Sequence, residues 1–312
     1  MPFPTYLEHL IISKPHAGVV NRLAFSPTAS YLASGGADGF VNIWDMSTGK
    51  ELRQIDLGKP VISLKWTSLS LRGLVAGCGE GACKIFEDVL KPTDIGTNVT
   101  TGALGPVFCV DIDRHSRHLA LGAGPEVHMA SCWDLKTLTM VWKIVPRIPE
   151  DFVGVFSSGN HSTCLLTLIL SAHSSLSMDG RFLIVAMVLS TVDVYNVSRL
   201  ELVHFLSYSA RLESTVSLPV TTSFLQNTQA VMCGSECGNV YIWDRRGGDL
   251  LQVLPHQDSV VLKVCAIQTQ DAAYIASTTE GAHGGEGYIS IWVSNKETGF
   301  TTSLVDIWRV NY

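Results

Sequence analysis

The chain has 312 residues, 46% of them apolar and only 16% charged, with a formal net charge of −6. That balance suits a compact globular protein and excludes a disordered one. It also disfavours direct nucleic-acid binding, which needs many cations set against phosphates; Arg114-His115-Ser116-Arg117-His118 is short and sits where a tight turn is expected.

Alternating and β-branched runs predict short strands along the whole chain. Tyr6–Ile12 comes first. Val20–Phe25 follows, then a Ser26-Pro27-Thr28-Ala29-Ser30 turn in which proline fixes φ. Tyr31–Ser34, Phe40–Trp44 and, after Ser47-Thr48-Gly49, Glu51–Leu57 complete a first group. The second group reads Ile62–Trp66, Leu74–Cys78 and Cys83–Glu87, and the third Val107–Ile112, His118–Leu121, Val127–Trp133 and Leu138–Ile144. In the fourth, a Met178-Asp179-Gly180-Arg181 turn precedes Phe182–Met187, Val192–Tyr195 and Glu201–Leu206. The fifth reads Thr221–Leu225, Ala230–Cys233, Val240–Trp243 and Leu250–Leu254, the sixth Val261–Ile267, Tyr274–Ser277 and Tyr288–Val293, and Thr302–Val310 is a last strand-like segment. An aromatic residue closes the third strand of each group. These are Trp44, Phe86, Trp133, Tyr195, Trp243 and Trp292, at intervals of 42, 47, 62, 48 and 49 residues.

The longest apolar runs, Cys164–Leu170 and Phe182–Leu189, fall far short of the roughly 20 residues of a membrane helix. Met1–Lys14 lacks a basic segment followed by a long apolar one, so a non-secreted protein of the cytoplasm or nucleus is expected. In that setting the eight cysteines are expected to be reduced thiols in strands. The sequons at Asn98, Asn160 and Asn196 are then chance matches.

The string from His16 to Pro27 together with Leu32-Ala33-Ser34-Gly35-Gly36-Ala37-Asp38-Gly39-Phe40-Val41-Asn42-Ile43-Trp44-Asp45 resembles one complete WD40 repeat. Such a repeat cannot bury its own faces and needs neighbours. The resemblance implies an all-β, WD40-type β-propeller with six recognisable four-stranded blades, or seven if one is degenerate or missing. Residues 1–312 then form one domain, with an irregular insertion at about 149–175 and a strand-like tail at about 296–312. The insertion reads either as a long functional loop between blades or as a gene-model artefact. Ring closure falls to Tyr6–Ile12 or to the C-terminal segment; only one can take the slot.

In the first repeat, His16, Ser34, Asp38 and Trp44 match a hydrogen-bond network of this family. Asp38 accepts from His16, His16 bonds Ser34, and Ser34 bonds the Trp44 indole N–H. Later repeats depart from it. The second has Ala76, Glu80 and Phe86 at the corresponding positions, and the fourth Val185, Leu189 and Tyr195. The fifth has Cys233 and Cys237 before Trp243. The sixth keeps His256, Ser277 and Trp292 but carries Gly281-Ala282-His283-Gly284-Gly285 in the turn. Blades without the network must lean on apolar packing, so modest stability and a labile fourth blade are expected.

Other chemistry finds little support. A Ser–His–Asp triad is disfavoured because the blade explains the spacing and no Gly-x-Ser-x-Gly elbow occurs. Cys233 and Cys237 form a Cys-x₃-Cys pair without a second pair nearby, so no metal is expected. Gly77–Gly81 and Gly281–Gly287 read as turn glycines, not a phosphate cradle. His115, His118, His128 and His161 fit no ligand spacing. No cofactor is expected.

By the same resemblance, the position after the first apolar residue of each inner strand lines the narrow-face entrance of the channel, the pocket of peptide-reading relatives. Here these are Asn21, Ile62, Phe108, Thr221 and Leu262, with Ala33 beside them. Phe108 is the natural anchor; the rival reading is that Ile62, Phe108 and Leu262 plug the channel. The expected function is a non-catalytic scaffold binding other proteins or peptides at that face. A small-ligand binder or enzyme using the channel, or a degenerate product without a stable partner, are the alternatives.

Overall fold

A computed structural model describes residues 3–294 apart from 68–69, 103–104, 113–117, 125–128, 145–151, 157–163, 169–170, 178, 188–190, 200, 208–219, 226, 257–259 and 281–286. The tail at about 296–312, the Arg114–Arg117 run, His128, His161 and most of the glycine-rich turn after Glu280 lie outside the described residues.

The chain opens with β1 (Tyr6–Ser13). Blade one is β2 (Val20–Phe25), β3 (Tyr31–Gly36), β4 (Phe40–Asp45) and β5 (Glu51–Asp56). Blade two is β6 (Val61–Trp66), β7 (Leu74–Cys78), β8 (Ala82–Phe86) and β9 (Thr97–Thr100). Blade three is β10 (Val107–Ile112), β11 (His118–Ala123), β12 (Met129–Asp134) and β13 (Thr139–Ile144). A hairpin, β14 (Phe152–Phe156) and β15 (Cys164–Leu168), comes next. Blade four is β16 (Ser171–Leu176), β17 (Phe182–Met187), β18 (Thr191–Asn196) and β19 (Glu201–Ser207). Blade five is β20 (Thr222–Leu225), β21 (Ala230–Cys233), β22 (Asn239–Asp244) and β23 (Leu250–Pro255). Blade six holds β24 (Val260–Gln268), β25 (Ala273–Glu280) and β26 (Tyr288–Ser294).

Every four-stranded sheet is antiparallel, five of them meanders of consecutive strands, and the inner strands are neighbours round a closed ring. The architecture is a WD40-type β-propeller. β1 pairs antiparallel with β26 and is the outer strand of blade six, from Tyr6 opposite Ser294 to Ser13 opposite Tyr288. The N-terminal strand therefore closes the ring, covering an edge that would otherwise invite pairing with another chain. Gln252 on β23 secures it: the Tyr6 N–H donates to Oε1 at 2.9 Å, and Nε2 donates to the Tyr6 carbonyl at 2.8 Å.

Part of the interval read as an insertion is strand. β14 neighbours β10 on one side and β16 on the other, so the hairpin fills a position in the ring between blades three and four. The inner strands thus number seven among the described residues, six in four-stranded sheets and one in a two-stranded hairpin. Two further strands were not predicted. β16 has the polar string Ser171-Ala172-His173-Ser174-Ser175, and β9 is only Thr97-Asn98-Val99-Thr100; neither shows an apolar alternation.

The core lies between blades. Ala33, Val41 and Ile43 of blade one pack on Val61, Leu64 and Leu74 of blade two. Val75 and Cys83 pack on Val107, Leu119 and Leu121, and Met232 and Ile242 on Val261, Val264 and Ile275. Each fully buried Val, Leu or Ile contributes about 1.5–3 kcal/mol, and each contribution needs the neighbouring blade. A repeated close approach explains one glycine in each of blades one, two and five. A Cβ at Gly35 would strike Val61, one at Gly77 Val107, and one at Gly234 the carbonyl of Val261. Glycine within the second strand, or directly after it at Gly234, lets the next inner strand pack against it.

Candidate functional site: the inner-strand ends of the propeller

The polar network of blade one pins a loop to its sheet. His16 Nδ1 lies 3.0 Å from Asp38 Oδ1, His16 Nε2 lies 2.8 Å from Ser34 Oγ, and the Trp44 indole N–H donates to Ser34 Oγ at 2.9 Å. Asp38 also accepts the Ala17 and Phe40 N–H groups, at 2.9 and 3.2 Å. The chain of bonds puts the His16 proton on Nδ1 and leaves Nε2 to accept from Ser34. Burial pulls the His16 pKa down, against the opposing pull of Asp38. Ser34 is sealed and already bonded, so it has no access to a substrate. The arrangement satisfies buried polar groups.

Blade six keeps part of this pattern. His256 Nε2 lies 2.7 Å from Ser277 Oγ, and the Trp292 indole donates to the same oxygen at 3.2 Å. Among the described residues no aspartate meets the other nitrogen; His256 Nδ1 turns to the Leu254 carbonyl at 3.2 Å. In blade two, Glu80 stands where blade one has Asp38. It takes a left-handed φ of 57° and pairs with Lys59 at 2.7 Å. In blade four the Tyr195 hydroxyl donates to Asp193 at 3.1 Å.

Around the ring, four of the residues singled out from the sequence share one backbone device. Asn21, Ile62, Phe108 and Leu262 each stand at a register shift near the start of an inner strand, in β2, β6, β10 and β24. The neighbours on either side keep partners on the second strand, so the residue is the extra one of a β-bulge. Ala172 has the same position in β16, between Ser171 and His173; no apolar alternation in β16 marks it in the sequence. Thr221 immediately precedes β20, where its carbonyl accepts the Gly234 N–H at 3.3 Å.

Their environments differ. Phe108 is 47% exposed, a large apolar ring facing solvent at the bulge. Asn21 is half-buried, and its Nδ2 donates across the blade boundary to the Val61 carbonyl at 2.9 Å. Ile62 is also half-buried. Two expected surface residues do not belong to this surface. Ala33 is 0% exposed, in the core between blades one and two, because the second strand is covered on both faces. Thr221 is 3% exposed, and its hydroxyl accepts the Val264 N–H at 2.6 Å, bracing blade five on blade six.

The residue after each bulge also matters, and the sequence reading did not single it out. Arg22, Ser63, Cys109, His173 and Lys263 hold that place in five blades. Ser63 ties blade two to blade three through the Val107 carbonyl at 2.8 Å. Arg22 Nε donates to the Ile62 carbonyl at 3.0 Å. One signal was available: charged residues in the second or third place of otherwise apolar strand starts.

No group of three or more His, Cys, Asp or Glu side chains is placed to hold a metal among the described residues. Cys233 is buried, and burial pushes its thiol pKa up. Among the same residues no helix is long and apolar enough to cross a membrane.

Comparison with known proteins agrees with the fold. The profile of the family described as WD domain, G-beta repeat, matches residues 8–45. The chain is similar to Ribosome biogenesis protein ERB1 of Ajellomyces capsulatus, 35% identical over 94 residues, covering 29% of this chain and 12% of that protein. It is similar to Protein RBL of Arabidopsis thaliana, 28% identical over 156 residues, 46% of this chain and 25% of that protein. It is also similar to Small ribosomal subunit protein RACK1 of Medicago sativa, 45% identical over 49 residues, 16% of this chain and 15% of that protein. The chain thus spans about an eighth of the length of the ERB1 proteins it matches. Closed ring, blade-one network and matched repeat together make this protein a WD40-type β-propeller.

Proposed function

We propose that this protein is a non-catalytic scaffold that binds a protein or peptide at the narrow face, the end of the ring where the inner strands carry their bulges. The observation that carries the reading is Phe108, an exposed aromatic on a bulge, with Ile62 and Asn21 at the same place on the two preceding inner strands. A bulge re-aims a side chain without moving the strand, and an aromatic anchor beside polar groups is the usual composition of a binding hot spot. Rigid inner strands lower the ordering cost of binding. Leu262 completes the surface by position in β24. Asn21 serves it by holding β6 in place.

The chain reads as one propeller domain, with the hairpin β14–β15 as a reduced blade. The names of two relatives concern ribosome biogenesis and the small ribosomal subunit, which favours a ribosome-linked assembly in the nucleus or cytoplasm. With a net charge of −6, the partners are proteins within such an assembly and not bare nucleic acid.

The test is affinity purification with mass spectrometry on the wild type beside Phe108→Ala, with folding of both checked by circular dichroism. A stoichiometric partner that is held by the wild type and lost by the folded variant supports the reading. Equal capture by both, or specific turnover of a small substrate by the purified protein, refutes it.

A further inference from the structure

Five of the six closing aromatics are sealed by the blade before them. Trp44 is buried with Ile289 and Ile291 of β26, Phe86 with Val41 and Ile43 of β4, and Trp133 with Cys83 of β8. Trp243 is buried with Val192 and Val194 of β18, and Trp292 with Val240 and Ile242 of β22. The cover comes from the preceding third strand, in four cases as two branched aliphatic side chains two residues apart.

Tyr195 of blade four is the exception. The position before it holds the hairpin β14–β15, which has no third strand among the described residues. Tyr195 is half-buried, and among the described residues it joins none of the apolar clusters. Phe205 shares its face of the sheet: Asp193 stands opposite Phe205, and the Tyr195 hydroxyl donates to Asp193. The other face, with Val192, Val194 and Leu206, packs on Val231 and Trp243 of blade five. Tyr195 and Phe205 therefore turn to the hairpin, where Phe205 is 63% exposed. β15 meets this gap with an edge that no described strand pairs. Its sequence, Cys164-Leu165-Leu166-Thr167-Leu168, has none of the charges or prolines that guard an open strand.

The chain carries a segment of matching sequence. Val305-Asp306-Ile307-Trp308 repeats the third-strand strings Val41-Asn42-Ile43-Trp44, Val240-Tyr241-Ile242-Trp243 and Ile289-Ser290-Ile291-Trp292. It lies outside the described residues, and the slot beside β26 that it could have taken is filled by β1. Within one molecule it cannot reach the gap as a third strand. Third strands start at the bulge end of the ring, whereas β26 ends at Ser294, beside Ala273 at the start of β25, at the far end. Blade six and the hairpin are three places apart in a ring of seven. With sheets about 10 Å apart, crossing the ring takes roughly 25 Å and climbing a strand the length of β18 about 20 Å more. About ten residues separate Ser294 from Val305, and fully extended they span about 33–36 Å. A second molecule has no such limit.

We propose that the gap outside β15 is a docking site for the C-terminal segment Thr302–Val310 of a second copy of this chain, which adds as the third strand of the reduced blade. Val305 and Ile307 then cover Tyr195 as Val41 and Ile43 cover Phe86. The β15 edge gains backbone hydrogen bonds, the usual basis of strand addition, and the side-chain pair gives it specificity. Exchange of a segment between copies needs no new fold.

The experiment measures mass by light scattering over a range of concentrations, for the full chain, Ile307→Asp and a chain ending at Ser294. A labelled synthetic peptide of residues 300–312 is titrated into the shortened chain and into its Phe205→Asp form, with hydrogen–deuterium exchange read at Cys164–Leu168. The proposal expects the full chain to associate as concentration rises and Ile307→Asp to stay monomeric. It expects saturable peptide binding, weakened about tenfold or more by Phe205→Asp, with new protection of β15. Ile307→Asp alters a residue outside every described strand, so its monomeric state can be read without loss of the fold. A full chain that stays monomeric overturns the proposal, and β15 protection independent of concentration would mean that the same molecule fills the gap. Association unchanged in Ile307→Asp, or a peptide that does not bind the folded shortened chain, also overturns it.

Discussion

Acid should destabilise this propeller through His256, and the size of the effect follows from its surroundings. The ring is 5% exposed, with its centroid 5.5 Å from that of Trp292. Nε2 faces Ser277 Oγ, which already receives the Trp292 N–H. Protonation would turn Nε2 from acceptor to donor against that oxygen and place a charge where no carboxylate among the described residues compensates it. Burial accordingly lowers the pKa from 6.5 to about 4, with only the Leu254 carbonyl pulling the other way. The unfolded chain takes the proton near pH 6.5 and the folded one only near 4. Between those values the unfolded state carries more protons, so stability is full above pH 6.5 and is lost as pH falls toward 4. At about 1.4 kcal/mol per pH unit the loss is about 3 kcal/mol. The assay is urea denaturation followed by tryptophan fluorescence at several pH values from 7 to 4.5, on the wild type and His256→Gln. Carboxylate contributions common to both proteins cancel in the difference. The wild type should lose about 2–3 kcal/mol relative to the variant over that range. A difference that stays flat with pH would refute the reasoning.

Three further outcomes follow from the same structure. Ser34→Ala leaves the Trp44 indole and His16 Nε2 without their shared partner; a loss of about 2–4 kcal/mol is expected in denaturant melts, and a change below about 0.5 kcal/mol would show that the network is dispensable. Deleting residues 1–13 removes β1 and bares the β26 edge; the truncated protein should aggregate or unfold without a sharp transition in scattering and thermal melts, and monomeric cooperative unfolding would count against closure by this strand. Phe108→Ala removes a side chain that is half in solvent; the Tm should move little, within about 1 kcal/mol of stability, while partner capture falls. A large fall in Tm would instead mark Phe108 as a channel plug.

Much of the fold was legible because blade one speaks in side chains. Trp44, Ser34, Asp38 and His16 have their spacing because one network needs all four, and the closing aromatics repeat it in weaker form. The strand limits of β2, β7 and β10 agree residue for residue with the alternation in the sequence. Other parts were not legible, for physical reasons. β16 and β9 are strands because neighbours supply their hydrogen bonds, and their polar composition carries no period of two. The hairpin β14–β15 earns its place from ring closure, a long-range condition absent from local pattern. The choice of β1 over the C-terminal segment depends on pairing across nearly the whole chain. At the site, the bulge positions could be aligned, but burial could not: Ala33, on the second strand, and Thr221, just before β20, are both buried.

The most direct test of the central claim is hydrogen–deuterium exchange on the protein alone and with its captured partner. Narrow-face binding predicts new protection at the starts of β2, β6 and β10, around Asn21, Ile62 and Phe108. Protection confined to the outer strands, at Leu202–Phe205 and Leu250–Val253, where Phe205 is 63% exposed and Leu250 53%, would place the partner on the rim of the propeller and contradict the account.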